Sequence, residues 1–314
     1  MPPFPVEVVE LAAKVKNWGR WGPDDELGTL NLITDDVVRA GAAEIRTGKR
    51  LSLAIGLDED GPQMGLAPGR ENAVHEMITV NAGWPPGDSS GVCFNDDKAC
   101  LGLQASTHWD GLAHTSYANQ LYNGYPADSV AAGGASKLGI EKVTSIVGRA
   151  VLLDVARSKG VDALTARYPI SGDDLEAAVE LAGVTVQPGD VVLVRTGKIT
   201  MLLAGDREGY NGADDIGIPG LSLASVEWFR SHDVAACATD TYSFEVFPGD
   251  PPEVVLPVHV LHLVFMGMTQ GQNWNFEELA ADCADDGRYT MFLSANPEPF
   301  THEVGSPVNP VVIK

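Results

Sequence analysis

Several signature motifs are missing from this sequence. It contains no GxGxxG, P-loop or HExxH pattern. Because these motifs build dinucleotide, nucleotide and zinc-protease sites, their absence argues against those three classes of enzyme. The four cysteines form no CxxC pair and show no zinc-ribbon spacing, so we expect free thiols rather than a structural metal site.

Long apolar runs and positive charge are also scarce. No stretch approaches the ~20 apolar residues of a membrane span, and the first residues lack the basic and apolar segments of a signal peptide. The chain carries 21 Lys and Arg residues against 43 Asp and Glu residues, a net charge of −22. Such a surface repels phosphate backbones and anionic membranes, so neither is expected as a partner. We therefore expect a cytoplasmic protein that binds a small-molecule substrate.

Helical and strand-like segments alternate along the chain. Apolar runs predict buried strands at residues 150–155, 191–197 and 234–240, with amphipathic helices between them. The predicted helices include residues 5–17, 34–47, 171–182, 223–232, 257–266 and 275–283. This alternation is typical of the α/β class. The chain of 314 residues has no linker-like segment, so one domain is expected.

The segment LGLQASTHWDGLAHTSY, residues 101–117, carries the strongest functional signal. Gln104, Ser106, His108 and Asp110 occupy alternate positions, so an extended strand would place them on one face. Asp110 is a good helix N-cap, and a helical turn would return His114 to the same side. The segment therefore predicts a cluster that binds a divalent cation, carries out acid–base chemistry, or does both.

Each candidate also has a purely structural interpretation. A His-x-Asp pair is more often a hydrogen-bonded structural pair, although the third group, His114, weakens that interpretation here. Trp18 and Trp21 flank Gly-Arg in a turn-rich loop, where tryptophans either bind a ligand or cover the core. His75 lies on a predicted strand at residues 73–82 and faces either the site or a structural partner.

Taken together, the motifs resemble a known family. QASTHWDGLAH, residues 104–114, is similar to the motif His-x-Gly-Thr-His-x-Asp-x-x-x-His of the cyclase family of metal-dependent hydrolases. That family includes bacterial kynurenine formamidase, isatin hydrolase and trans-dienelactone hydrolase. The segments WGPDDELGTLNLIT, LYNGYP, QPGDVVLVRTG, PGLSL and GSPVNP look like its longer branch and extend the resemblance over nearly the whole chain.

The resemblance implies a fold and a set of site residues. The fold would be a single domain, residues 1–314, of the swivelling β/β/α type, with a mixed sheet packed with helices. Residues 1–50 would form an N-terminal helical extension that contributes to the site. By position, the resemblance assigns five metal ligands: Gln104, His108, Asp110, His259 and Gln272. It makes His114 the general acid/base, with Asp110 also in the catalytic group.

Two ligand positions depart from the family pattern. Longer members often have Gln at the position of Gln104, but Gln272 stands where the family has Glu. Asp110 is then the only anionic ligand, and amide oxygens bind hard cations more weakly than carboxylates do. One Zn or Mn ion is therefore expected rather than two, and a metal-free site is the alternative.

The resemblance implies hydrolysis of a small cyclic ester or amide, or of an N-acyl group such as a formamide. Two alternatives stay open: a metal-independent lyase, isomerase or dehydratase that uses the same three residues, and a non-catalytic small-molecule binder. Trp18, Trp21 and Trp109 could form an aromatic wall for a planar substrate, with His75 beside them. Asp240 and Glu245 would orient a histidine of the site. A homodimer or homotetramer is expected from the resemblance.

Overall fold

A mixed β-sheet is the centre of the fold. A computed structural model describes residues 4–87, 90–212, 217–249 and 254–314. The strands are β1 (Arg50–Ser52), β2 (Val74–Gly83), β3 (Cys93–Cys100), β4 (His108–Asp110), β5 (Val130–Ala131), β6 (Gly134–Ala135), β7 (Val147–Asp154), β8 (Pro169–Ile170), β9 (Val191–Arg195), β10 (Gly220–Leu221), β11 (Ala236–Thr239), β12 (Thr269–Gln272), β13 (Thr290–Ser294), β14 (Gly305–Pro307) and β15 (Val311–Ile313).

Within the described residues, nine of these strands form one sheet in the order β1-β15-β13-β7-β9-β11-β12-β4-β14. The central strands β7, β9, β11 and β12 run parallel, and the strands outside them pair antiparallel. Parallel strands are covered by helices on both faces, which explains why β9 is a continuous buried run, VVLVR. The expected α/β class, with a mixed sheet packed against helices, is confirmed.

The α-helices are α1 (Val6–Val15), α2 (Asp35–Ala42), α3 (Val155–Ser158), α4 (Gly172–Ala182), α5 (Ile199–Leu203), α6 (Arg207–Asn211), α7 (Leu223–Ser231), α8 (Pro257–His259) and α9 (Glu277–Asp286). A π-helix, Val260–Met266, continues α8, and short 3₁₀ turns occupy Gly28–Leu32, Tyr122–Gly124, Ala127–Ser129 and Ile140–Lys142. In the part of the chain that the structure describes, no helix is long and apolar enough to cross a membrane.

The core lies in two layers, one on each face of the sheet. Alternate residues of β7 enter different layers: Val151 and Leu153 pack with α1, α4 and α7, whereas Ala150 and Leu152 pack with α9. This alternation follows from the two-residue period of a strand. The first of these layers also includes Val258, Leu261 and Met266, which lie on and beside the π-helix.

Local sequence signals predict several helix ends well. Ser171 caps α4, and its side chain and that of Asp174 satisfy each other's backbone N–H groups in a capping box. The predicted helix at 34–47 is capped by Thr34 as expected but ends at Ala42. Alternating apolar residues also predict a strand at 51–57, but β1 ends at Ser52.

Strands β2 and β3 stand apart from the main sheet. They pair with each other as an antiparallel hairpin, from Val74 opposite Cys100 to Gly83 opposite Cys93. Neither strand packs extensively against another helix or strand among the described residues. The strand predicted at residues 73–82 is therefore confirmed as a strand, but it is an exposed one.

Candidate active site

Strand β4 presents two of the candidate residues to one face of the sheet. It lies between β12 and β14, with His108 opposite Gln272 and Asp110 opposite Gln270. Residues directly opposite in an antiparallel pair point to the same side, so these four side chains share a face. Trp109, between them in sequence, must point to the other face.

The structure brings three histidines around the carboxylate of Asp110. Nε2 of His108 lies 3.4 Å from Asp110 Oδ1, and Nε2 of His114 lies 3.6 Å from the same oxygen. Nε2 of His259 lies 3.9 Å from Asp110 Oδ2. The convergence that the sequence predicts for His108, Asp110 and His114 is thus present, although a cluster alone does not identify its chemistry.

A turn, not the expected helix, carries the chain from Asp110 to His114. Strand β4 begins at His108, so the predicted extended run from Gln104 is also shorter. After Asp110, Gly111 N–H donates to Val304 O, and His114 N–H donates to Gly111 O at 2.9 Å. The bond to Val304 anchors this segment to the chain beside β14.

A hydrogen bond to the backbone fixes the ring of His108. Its Nδ1 lies 2.7 Å from the backbone oxygen of Ser106. A carbonyl oxygen only accepts, so Nδ1 carries the proton and Nε2 of the neutral ring keeps a free lone pair. Nε2 and Asp110 Oδ1 are both buried and have no hydrogen-bond partner. Two buried electron-pair donors that face each other without a proton between them fit a shared cation or a shared proton.

His259 is fixed by Glu245, a contact of the kind expected for a histidine-orienting carboxylate. Its Nδ1 lies 2.5 Å from Glu245 Oε1, and the backbone N–H groups of Val258 and His259 donate to the same carboxylate. Burial alone would lower the pKa of His259, but its bond to the Glu245 carboxylate raises it. The other ring nitrogen, Nε2, then faces Asp110 Oδ2.

Gln272 joins the two sides of the cluster. Its amide nitrogen donates to Asp110 Oδ2 and lies 3.4 Å from His259 Nε2. In this orientation the Gln272 amide directs its N–H groups toward Asp110 Oδ2 and His259 Nε2, atoms that could otherwise bind a cation. Gln104 approaches the same face over β14: a Cβ added to Gly305, the residue opposite Asp110, would come within 2.5 Å of its Nε2.

The electrostatics of the cluster keep Asp110 ionised. Burial opposes ionisation, but the neighbouring His114, His108 and His259 together hold the pKa of Asp110 well below its usual value. For His114 the loss of solvent dominates and lowers the pKa, against the attraction of Asp110. At neutral pH the cluster therefore combines a carboxylate with an imidazole that can accept a proton.

His114 lies at the open end of the cluster. Its side chain is 22% exposed, whereas those of His108, Asp110 and His259 are 1%, 0% and 6% exposed. A small molecule that enters from solvent would meet His114 first.

Trp109 does not form part of an aromatic wall. Its ring is fully buried in the layer on the far face, where it packs edge-on against Trp274 and donates to Ala295 O. Trp18 stacks on Phe265 and donates to Val264 O on the π-helix, and the side chain of Arg20 covers Trp21. Trp18 thus packs against the π-helix that continues α8, the helix of His259.

The structure places two further predicted site residues, His75 and Asp240, away from the histidine cluster. His75 lies on the exposed hairpin, where it pairs with Asp97 at 2.9 Å, because β2 leaves the main sheet. Asp240 binds no histidine: it is buried and accepts hydrogen bonds from Thr196 and from the backbone of Gly197. Burial raises the pKa of Asp240 to about 6. Its role is to hold the turn that follows β9.

Gln270 was not foreseen from the sequence. It lies opposite Asp110 on the site face of β12, fully buried, with neither amide atom hydrogen-bonded. The alternation of Gln270 and Gln272 in the segment TQGQ is the signal that could have revealed it. His262, on the π-helix, is likewise buried with both ring nitrogens unpartnered between Phe229 and Phe244.

The usual metal-binding side chains do not form a complete site in the part of the chain that the structure describes. Among the described ranges, no group of three or more His, Cys, Asp or Glu side chains has the arrangement that holds a metal ion. The unpartnered atoms of His108 and Asp110 fit a cation, and the amide nitrogen of Gln272 does not. The expectation of one divalent ion is therefore neither confirmed nor contradicted.

The comparison with known families identifies the chain. The model of the Cyclase family matches residues 30–246. The chain belongs to the cyclase family. This cyclase is similar to the crystal structure of a novel cyclase, with 37% identity, a TM-score of 0.87, and 96% of this chain and 99% of that chain covered. The family expectation from the sequence is confirmed.

More distant structures share the fold of this cyclase. Isatin hydrolase A from Ralstonia solanacearum is 19% identical, with a TM-score of 0.61, and the match covers 89% of this chain and 97% of that chain. A predicted metal-dependent hydrolase from Bacillus stearothermophilus is 14% identical, with a TM-score of 0.50, and the match covers 84% and 97%. No curated protein matches the sequence significantly.

Proposed function

We propose that this chain is a hydrolase that cleaves a small cyclic ester or amide, or an N-acyl group such as a formamide. The observation that carries the proposal is the partly exposed imidazole of His114 beside the buried carboxylate of Asp110. A carboxylate and an imidazole at an open site edge are the groups that general acid–base catalysis needs. Membership of the cyclase family and the fold of isatin hydrolase support a hydrolytic reaction.

A divalent cation, Zn or Mn, would be held at the unpartnered Nε2 of His108 and Oδ1 of Asp110. These two atoms lie 3.4 Å apart, a separation that one shared cation would span. His259, Gln104 and the side-chain oxygen of Gln272 would be the further donors available to it. Such an ion would polarise the substrate carbonyl and lower the pKa of a bound water.

His114 handles the proton in this mechanism. Its Nε2 accepts a proton from the attacking water and later donates it to the leaving oxygen or nitrogen. Asp110, held ionised by its three histidine neighbours, stabilises the imidazolium that forms between these two events. Glu245 keeps the ring of His259 in one orientation and one tautomer.

A second candidate function uses the same residues without a metal. It is favoured by the hydrogen bond from the Gln272 amide to Asp110 Oδ2, because the amide then directs an N–H group rather than an oxygen toward the cluster. His108, Asp110 and His114 would then transfer protons as a lyase, isomerase or dehydratase.

The decisive experiment combines a substrate screen with metal removal. Purified protein is assayed on lactones, formamides and cyclic imides, before and after chelation and after the return of Zn or Mn. We expect hydrolysis that chelation abolishes and one of these ions restores. Hydrolysis that survives chelation in protein holding less than roughly 0.1 equivalent of metal would reject the metal-dependent mechanism. No hydrolysis under any condition, together with metal-independent turnover in a lyase, isomerase or dehydratase assay, would favour the second candidate.

The variant His114→Ala tests the proton-handling role. We expect kcat to fall by roughly 10²-fold or more, because general acid–base catalysis contributes about that much. His232→Ala, on the end of α7, removes an imidazole away from the cluster and serves as the matched control. Equal turnover by wild type and His114→Ala would reject the assigned role.

A further inference from the structure

Arg70 is a positive charge beside the site that none of the proposed steps uses. It lies in the loop between β1 and β2 and is partly exposed. Among the described residues it forms no ion pair with a carboxylate. Acidic residues outnumber basic ones by 43 to 21, so an arginine without an acidic partner has its guanidinium available for another anion.

The side chain of Arg70 lies against the chain that leads into the cluster. A Cβ added to Gly102 would lie 3.0 Å from Arg70 Cγ, so the aliphatic stem rests directly on this glycine. The N–H of Gly102 also donates to Glu71 O at 3.0 Å. Because Gly102 precedes Gln104 by two residues, this contact places Arg70 beside the first residues of the site.

The guanidinium of Arg70 approaches the site from a second side, at Tyr242. Burial raises the pKa of Tyr242, and the Arg70 guanidinium beside its hydroxyl partly offsets that rise. The hydroxyl donates to Gln63 Oε1 at 2.9 Å, and Gln63 Nε2 donates to Ala105 O at 2.8 Å. Tyr242 lies on the same segment as Glu245, so Arg70 contacts both segments that carry site residues.

Hydrogen bonds fix the loop that carries Arg70. The side chain of Asn72 accepts from Gln63 N–H at 2.9 Å and donates to Gln63 O at 3.0 Å, which closes the loop. Asn211 on α6 donates to Pro62 O at 2.8 Å and attaches the loop to the main body. Because the loop is held in advance, binding through Arg70 costs less conformational entropy.

The charge of Arg70 reaches the histidines of the cluster. Burial lowers the pKa of His114, and the positive charge of Arg70 lowers it further. Burial and Arg70 act on the pKa of His259 in the same direction, against the attraction of Glu245. Coulomb interactions weaken with distance, so the guanidinium lies close to both rings.

We propose that Arg70 binds a carboxylate group of the substrate while His114 acts on the ester or amide bond of the same molecule. The proposal rests on the hydrolytic function proposed above and narrows the substrate class to lactones, cyclic amides or N-acyl compounds that carry a carboxylate away from the bond to be cleaved. A guanidinium donates two parallel hydrogen bonds to a carboxylate and matches its single negative charge. In a protein with a net charge of −22, such a cation also offsets the general repulsion of an anionic substrate.

The test compares matched substrates that differ only in a carboxylate: N-formyl-3-aminobenzoate against formanilide, and 5-carboxyphthalide against phthalide. For wild type we expect a higher kcat/KM for the acid of each pair. Arg70→Gln should lower the ratio of acid to neutral kcat/KM by roughly 10-fold or more, mainly through KM, because a hydrogen-bonded charge pair contributes about that much. Arg46→Gln removes the same charge from an exposed position after α2 and should keep the wild-type ratio.

A ratio that Arg70→Gln leaves unchanged would overturn the proposal, whether both activities fall together, as for a structural role, or neither falls. A wild type that prefers the neutral member of each pair would overturn it as well. Circular dichroism establishes whether the variant is folded. If it is not, Arg70→Lys decides, because lysine keeps the charge but loses the planar pair of donors. The ratio should then fall by roughly threefold or more, and an unchanged ratio would reject the proposal.

Failure of the hydrolytic function would be seen separately, as an absence of turnover for all four compounds. Calorimetric titration with 3-aminobenzoate and 3-aminobenzamide then measures binding alone. We expect wild type to bind the acid more tightly than the amide, and Arg70→Gln to raise the dissociation constant of the acid by roughly 10-fold or more. No binding of the acid to wild type, or equal affinity in both proteins, would reject carboxylate recognition by Arg70.

Discussion

At the residue scale, the site depends on one carboxylate among three imidazoles. Asp110 is buried, and its two oxygens serve different partners: Oδ1 faces His108 and His114, and Oδ2 accepts from Gln272. The charge of the side chain at position 272 therefore affects how strongly the cluster binds a cation. A carboxylate at this position would change the charge balance without changing the shape of the side chain.

Gln272→Glu is predicted to raise the affinity for Zn or Mn by roughly tenfold or more, because a carboxylate binds a hard cation better than an amide does. Without metal, the new carboxylate would repel Asp110 and lower the melting temperature. Calorimetric titration and thermal melts with and without metal measure both effects. Gln120→Glu, an exposed position, makes the same charge change at the surface. Equal metal affinity in wild type and Gln272→Glu would remove position 272 from the site.

Asp190 predicts a pH dependence of stability. Gln187 N–H donates to this carboxylate, and Arg149 lies 3.8 Å away, but burial dominates and raises its pKa to about 6. The folded state then holds a proton that the unfolded chain has already lost above pH ~4. By linkage, this group lowers the free energy of unfolding as pH rises from about 4 to about 6.

The variant Asp190→Asn is predicted to remove this fall in the free energy of unfolding. Relative to wild type, the free energy of unfolding of the variant should rise by up to ~3 kcal/mol between pH 4 and pH 6 and stay constant above. Urea unfolding at a series of pH values measures the difference. Curves for the two proteins that stay parallel from pH 4 to pH 7 would contradict the raised pKa.

At the element scale, the end of the π-helix is the most constrained part of the site's support. Gly267 ends this helix with φ +70°, and a Cβ there would lie 2.3 Å from the ring of Tyr122. The ring cannot move away easily, because it is buried and its hydroxyl donates to Asp25 at 2.9 Å. Position and direction of His259 therefore depend on a glycine eight residues away.

Gly267→Ala is predicted to lower the free energy of unfolding by roughly 2–5 kcal/mol, from a strained backbone and from overpacking. Gly287→Ala, at the end of α9, has a similar φ of +71° but open space around its Cβ. It should cost only about 1 kcal/mol, so the difference between the variants isolates the contact with Tyr122. Equal destabilisation of the two would show that this contact is unimportant.

The element scale also shows where local signals fail. The N-cap signal at Asp110 is real by composition, but Gly111 hydrogen-bonds to Val304 and the predicted helix becomes a turn. Apolar alternation at residues 51–57 continues past β1, which ends at Ser52, opposite Val311, the first residue of its antiparallel partner β15. In both places a long-range pairing overrides the preference of the local sequence.

At the scale of the whole molecule, the net charge of −22 acts against the compact state. Raising NaCl from 10 to 150 mM shortens the screening length from ~30 Å to ~8 Å. We predict that the melting temperature rises by a few degrees over this range. KCl should act alike, since the effect is one of ionic strength. A melting temperature that falls with salt would contradict self-repulsion as a destabilising force.

The sequence by itself determined the family, the α/β class and the grouping of His108, Asp110 and His114, because these depend on short spacings and on apolar runs. Only the tertiary structure decided which other side chains join them. Glu245 and Gln272 reach the cluster from distant elements, whereas Trp109, Asp240 and His75 point elsewhere. The physical reason is that strand order and hydrogen-bond register fix which face a side chain occupies, and neither is encoded in local spacing.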